Sequence, residues 1–229
     1  MQKQIFILSL LLFFGVGVLC AQPKAVGEPR VIAKTDEPLQ RPAWSDDGAK
    51  LSFNYGQWEI SANGSNLQRV EKSSGLLKKS VNNAVLQQMI DQPTKAASQL
   101  KGLESLNGYM IYNPVLSPKG DQIVFQATRH AGMFVCNADG SGLRHFSVQG
   151  ERATWTADGK YVVAQIEGND GHVITSGELI AIEVATGATS SFFASDQYIT
   201  LSPAISPDGK KIAFEDHATG AIYVMDVIQ

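Results

Sequence analysis

Cysteine is nearly missing from these 229 residues. Cys20 and Cys136 are the two present, and Cys20 lies in a leader-like segment. No intramolecular disulfide can therefore form downstream of the leader, even in an oxidising compartment, and stability has to come from buried apolar area. Histidine is scarce, with four residues, and charged residues make up 18% of the chain. No Gly-x-Ser-x-Gly elbow occurs, which removes the usual signature of an α/β-hydrolase nucleophile. Apolar runs long enough to span a membrane are absent after Leu19.

The apolar run that is present, Ile5 to Leu19, follows Lys3 and precedes the small pair Cys20-Ala21 and the polar Gln22. That pattern reads as a secretory signal peptide over residues 1–21, leaving 22–229 as a single domain exported to the periplasm or secreted. An uncleaved anchor and lipoprotein processing at Cys20 are the alternatives. The second is disfavoured because Leu19 stands where that signal takes a small residue. After cleavage the chain carries 18 cations against 22 acids with no block of one sign, so nucleic acid and anionic membrane surfaces are poor partners.

Four times the chain writes an apolar pair or triplet, a polar turn closed by glycine, and a β-rich stretch. The copies are Ala43-Trp44-Ser45-Asp46-Asp47-Gly48, Val115-Leu116-Ser117-Pro118-Lys119-Gly120, Thr154-Trp155-Thr156-Ala157-Asp158-Gly159 and Ala204-Ile205-Ser206-Pro207-Asp208-Gly209. One such unit cannot bury its own apolar faces, so a repeat on this scale implies units packed side by side. In the last copy Ser202–Ile205, Lys211–Phe214 and Ala221–Asp226 read as three strands, with Glu215–Gly220 as a polar loop. Asn63-Gly64 and Asp139-Gly140 are hairpin turns that add a fourth strand in the first two copies. Four antiparallel strands per copy make a propeller blade. The expected fold is all-β, a β-propeller of four recognisable four-stranded blades. Arg30–Lys34 is the candidate for the outer strand that the last blade lacks.

These residues resemble the WD40-like repeats of TolB-type β-propellers. Ser206-Pro207-Asp208-Gly209, Phe214 and Ile222-Tyr223-Val224-Met225-Asp226 carry the resemblance, with Asn137-Ala138-Asp139-Gly140-Ser141-Gly142 as the hairpin between third and fourth strands. The resemblance runs from about Leu39 to the end and is specific for fold more than function, since the repeat occurs in translocation proteins, peptidase propellers and lyases. TolB-type propellers usually have six blades, and this sequence shows four. The turn glycines at 48, 120, 159 and 209 leave gaps of 72, 39 and 50, so the first gap holds an insertion at about residues 73–106. Val81, Val85, Leu86, Met89 and Ile90 follow helical spacing up to Pro93, which favours a helical insertion over a hidden fifth blade. It could cap the channel, dock a partner or pack back on the propeller.

Three histidines fall in the loops between second and third strands of successive blades: His130, His172 and His217. With Asp170 or Asp216 they would suit an open transition-metal site, as in lyases that this fold resembles. Scattered polar loop residues are the plainer reading, and no metal, cofactor or catalytic residue is expected. Asp46, Asp47, Asp158 and Asp208 read as turn residues, Trp44 and Trp155 as packing between blades, and Cys136 as a small buried residue. The expectation is a non-enzymatic module that binds a protein or peptide of the cell envelope. Its candidate binding face carries Arg129, His130, Asp170, His172, Asp216, His217, Tyr55 and Trp58. The alternative is a small metal-dependent lyase or hydrolase acting on a carbohydrate.

Overall fold

The computed structural model describes residues 21–70, 83–128 and 132–228. The chain enters on β1 (Lys24–Ala33) and builds blade one from β2 (Ala43–Trp44), β3 (Lys50–Phe53), β4 (Trp58–Ser61) and β5 (Gln68–Arg69). Two short helices follow, α1 (Ala84–Asp91) and α2 (Ala96–Gln99). Blade two is β6 (Ile111–Leu116), β7 (Gln122–Ala127), β8 (Met133–Asn137) and β9 (Arg144–Phe146); blade three is β10 (Glu151–Trp155), β11 (Tyr161–Asn169), β12 (Ile174–Glu183) and β13 (Thr189–Phe193). Blade four has β14 (Thr200–Ile205), β15 (Lys211–Asp216) and β16 (Ala221–Ile228), and β1 returns as its outermost strand.

That return joins the two ends of the fold. Lys24 pairs with Ile228 and Val31 with Tyr223, so the strand is longer than the Arg30–Lys34 expected. A register shift between Val26 and Arg30 lets the ladder run on, with Gly27 at φ +79 and Pro29, which has no N–H to offer, on the outermost strand. A second departure lies in β15. Glu215 and Asp216 were expected in a polar loop but are the last two residues of the strand, and both are buried. Their carboxylates accept backbone N–H groups from Arg41 and Ile199, which makes their burial tolerable.

Each inner turn is held by one hydroxyl used twice. The hydroxyls of Ser45, Ser117, Thr156 and Ser206 accept the N–H of the first residue of the next strand or its neighbour: Lys50, Gln122, Tyr161 and Lys211, at 2.9–3.1 Å. The same hydroxyls donate to Asp47, Asp121, Asp158 and Asp208 at 2.6–2.7 Å. Blade two carries Lys119 where the others have Asp, and Asp121 takes over from two positions further on.

The blades meet through apolar faces, and the pattern has a break. Val124, Met133 and Val135 of blade two pack on Val162, Ala164 and Ile182 of blade three. Val163, Leu179 and Ala181 of blade three pack on Ile212, Phe214 and Met225 of blade four. Ala213, Ile222 and Val224 of blade four pack on Leu51, Phe53 and Ile60 of blade one. The other face of blade one carries Lys50, Ser52 and Glu59 instead. The other face of blade two, with Ile123, Phe125, Phe134 and Cys136, is covered by the insertion through Leu86, Met89, Ala97, Leu100, Leu103 and Leu106. The insertion is helical and packs back on blade two, leaving Ile90 exposed. Asn83 caps α1 by accepting the Leu86 N–H at 2.8 Å and donates to the Ala138 carbonyl at 3.0 Å. Val81, the start of the insertion and the leader lie outside the described residues. Among the described residues no helix is long and apolar enough to cross a membrane.

Two expectations follow. Deleting residues 24–33 exposes the edge of β16 and should lower the thermal midpoint by on the order of 10 °C, the shift that ~3 kcal/mol or more produces in a domain of this size. An unchanged midpoint would show that β1 does not close the fold. The second concerns acid. The Ser45 and Ser206 hydroxyls, with backbone N–H groups, hold Asp47 and Asp208 below the ordinary 3.8. At Asp158 burial pushes upward, but bonds from the Lys160 N–H and the Thr156 hydroxyl outweigh it. Carboxyls lowered by folding stabilise fully above 3.8 and lose that contribution as pH falls through the lowered values. Ser206→Ala should cost about 1 kcal/mol at pH 7, seen as a lower melting midpoint, and should show a smaller further loss below pH ~4 than the parent.

Candidate functional site

The four inner strands begin on one face of the ring, and each begins with the same irregularity. Arg41, Asn113, Arg152 and Ser202 all adopt left-handed backbone, with φ of 54, 49, 49 and 52. Each stands four residues ahead of the turn hydroxyl, and three are followed by proline: Pro42, Pro114 and Pro203. The β6–β7, β10–β11 and β14–β15 ladders slip there, between Tyr112 and Val115, Glu151 and Thr154, and Leu201 and Ala204. A non-glycine residue held this way costs about 1 kcal/mol or more, so its recurrence in every blade calls for compensation.

The compensation comes from polar residues in the second strands. Glu215 Oε2 accepts the Arg41 N–H at 2.8 Å, across the junction from blade four to blade one. Gln165 Oε1 accepts the Ser202 N–H at 2.6 Å, from blade three to blade four. Gln126 accepts the Asn113 amide at 3.0 Å and donates to the Gly150 carbonyl at 3.2 Å, from blade two to blade three. These bonds fix the channel mouth, a cavity of about 200 Å³ lined by the four left-handed residues with Pro42, Pro114, Val115, Ala153 and Pro203. The Arg41 guanidinium lies over the Tyr55 ring, 4.7 Å from its centre.

A second cavity, about 550 Å³, opens the channel on the face of the glycine turns, between Trp44, Trp155, Pro118 and Pro207. Both indoles bind across blades: Trp44 Nε1 donates to the Ala204 carbonyl at 2.9 Å and Trp155 Nε1 to the Val115 carbonyl at 3.0 Å. A third cavity of about 250 Å³ lies between blades two and three, with Tyr112, Glu151, Gln165 and Glu167 in its wall. Burial, then the nearby Glu167 carboxylate, pushes the Glu151 carboxyl up, although one side of it stays open to solvent. Burial and Glu151 raise Tyr112.

The residues singled out from the sequence have different fates. Tyr55 is 59% exposed beside the mouth. Trp58 is half-buried, and its Nε1 donates to Glu37 at 2.7 Å. Asp170 accepts the N–H groups of Val173 and His172 at 2.9 Å, which lower its carboxyl and close its loop. Asp216 is buried, accepting the Ile199 N–H at 3.0 Å and the Thr219 hydroxyl at 2.6 Å. His172 and His217 are exposed, whereas Arg129 and His130 lie outside the described residues. Among the described residues no group of three His, Cys, Asp or Glu is placed to hold a metal. The mouth itself was missed from sequence, although the recurring residue-proline pair four positions ahead of Ser was there to be read.

No known protein family matches the sequence, and no curated protein does. Solved structures do match. A protein described as TolB from Agrobacterium tumefaciens is 18% identical, with a TM-score of 0.40 over 85% of this chain and 60% of that one. TolB from Acinetobacter baumannii is 16% identical, at 0.37 over 86% and 45%. An oligogalacturonate lyase from Vibrio parahaemolyticus is 13% identical, at 0.38 over 86% and 51%. The chain thus spans about half the length of these structures. Four four-stranded blades make a β-propeller, and the likeness to these structures is one of fold.

Burial raises the Cys136 thiol to about 12, with a smaller push from Asp139. Reactivity belongs to the thiolate, so Cys136 should resist iodoacetamide at pH 8 in the folded protein and react fully in denaturant. Rapid native labelling, read by intact mass, would contradict its place in the core.

Proposed function

We propose that the protein is an exported, non-enzymatic propeller that binds a protein or peptide of the cell envelope through the face bearing the channel mouth. One observation carries the reading. Three of the exposed large apolar side chains, Tyr55, Met110 and Val173, belong to connections on this face, at 59%, 39% and 58% exposure, around an open mouth that holds two arginines. Exposed aromatic and apolar groups beside guanidinium are the composition that protein interfaces favour. His172, His217 and Asp170 lie on the same connections and belong to the rim of the proposed surface; Trp58 and Asp216 support it from beneath.

The test is site-specific photo-crosslinking in the envelope of the producing cells. A crosslinker at Val173 should give a discrete adduct that is lost with Tyr55→Ala. The same crosslinker at Lys119, on the opposite face, should give none. Equal adducts from both positions, or none from Val173, would overturn the assignment of this face.

A further inference from the structure

We infer that the channel mouth is an anion site that takes a carboxylate of the peptide partner, with Arg41 and Arg152 supplying the charge; this rests on the reading of the face given above. Arg41 and Arg152 occupy equivalent positions in blades one and three, which alternate with blades two and four around the ring, so their side chains enter one cavity from opposite sides. The alternating positions hold the neutral Asn113 and Ser202. Neither guanidinium is hydrogen-bonded or ion-paired to a described residue. Glu215, the acid in contact with the mouth, is occupied by the Arg41 backbone N–H and not by its side chain. Glu151, next to Arg152, lines the neighbouring cleft with Glu167; the Arg152 charge reaches its carboxyl, but more weakly than burial and Glu167 do.

Two part-buried arginines line one small cavity, where bringing their like charges together carries an electrostatic penalty. An anion between them removes that penalty. The Arg41 guanidinium lies 4.7 Å from the centre of the Tyr55 ring, and a cation over a ring face keeps its edge N–H groups available for bidentate carboxylate binding. The rest of the lining, Pro42, Pro114, Val115, Ala153 and Pro203, is apolar and rigid. It fits the end or a bend of a peptide better than a hydrated ion, because it offers few further hydrogen bonds. The left-handed backbone serves the same end. By stepping out of the ladder, each of the four residues is spared from packing between blades and lines the channel instead.

The experiment uses the full chain labelled with 15N-arginine and follows the Nε–Hε signals of Arg41 and Arg152. The probes are an N-acetylated Ser-Ala-Ala-Val peptide with a free C-terminus, its C-terminal amide, and the amide with Glu in place of the second Ala. The free-acid peptide should shift both signals saturably and bind at least about tenfold more tightly than the amide, as loss of a charge-assisted pair implies. Recovery of binding by the Glu-containing amide would assign the site to acidic side chains; no recovery would assign it to chain ends. Arg152→Asn copies the residue blade two already uses and keeps the left-handed backbone, so its melting midpoint should hold while binding drops about tenfold. Equal binding of acid and amide, no saturable shift, or an unaffected Arg152→Asn would overturn the inference. If Arg152→Asn still crosslinks normally from Val173 in cells, the carboxylate site fails and the binding face stands. Loss of the adduct in the parent itself removes the face.

Discussion

Every blade here is a sheet with two faces, and neither face can be left to water if both are apolar. That constraint organises the molecule. Blades two, three and four carry apolar residues on both sides of their second strands, so each needs a neighbour on each side. Three junctions satisfy the need by direct packing. At the fourth, between blades one and two, the two faces do not match: one is polar and the other apolar. The insertion resolves the mismatch. Leu86, Met89, Leu100, Leu103 and Leu106 cover blade two, while the corresponding face of blade one carries the buried polar residues Ser52 and Glu59.

Close approach matters as much as burial in that cap. Gly102 has φ +96, and a side chain there would run into the Gly140 carbonyl on the hairpin of blade two. Asp139 closes that hairpin by accepting the Ser141 N–H at 2.9 Å and its hydroxyl at 2.6 Å. The glycine that reads in sequence as a hairpin signal is therefore also the floor on which the insertion rests. Glu59 adds a cost on the other side of the seam, since its Oε1 is buried without a hydrogen-bond partner and Lys50 reaches only Oε2, at 3.5 Å.

Much of this was legible in the residues because it depends on local rules. A hydroxyl followed by Asp and Gly specifies a turn whatever surrounds it, and four copies at near-regular spacing specify blades. Ring closure by the N-terminal strand was legible for the same reason, as a β-prone segment with no other partner. The left-handed residues were not, because nothing in Arg41 or Arg152 alone favours positive φ. At Arg41 and Ser202 the backbone N–H is held by Glu215 and Gln165, each from a neighbouring blade. Asp216 was misplaced for a related reason. A carboxylate reads as a loop residue until the N–H groups that bury it are known.

The polar links and the seam bear on one another. Glu215, Gln165 and Gln126 each reach from a second strand to the inner strand of the next blade, so three junctions are held by a polar link as well as an apolar face. Asn54 holds the equivalent place in blade one, and it turns back on its own blade. Its Oδ1 accepts the Gln40 N–H at 2.6 Å and its amide donates to the Pro38 carbonyl at 3.1 Å. The junction between blades one and two therefore lacks both kinds of contact that tie the others, among the described residues. Arg41 and Arg152 stand on opposite sides of that seam, one in blade one and the other carried by blade three on blade two. Any change in the spacing of the seam changes the distance between the two guanidiniums. A ligand bridging the two arginines would link blade one to blade three, on either side of the junction where the described residues provide the fewest links.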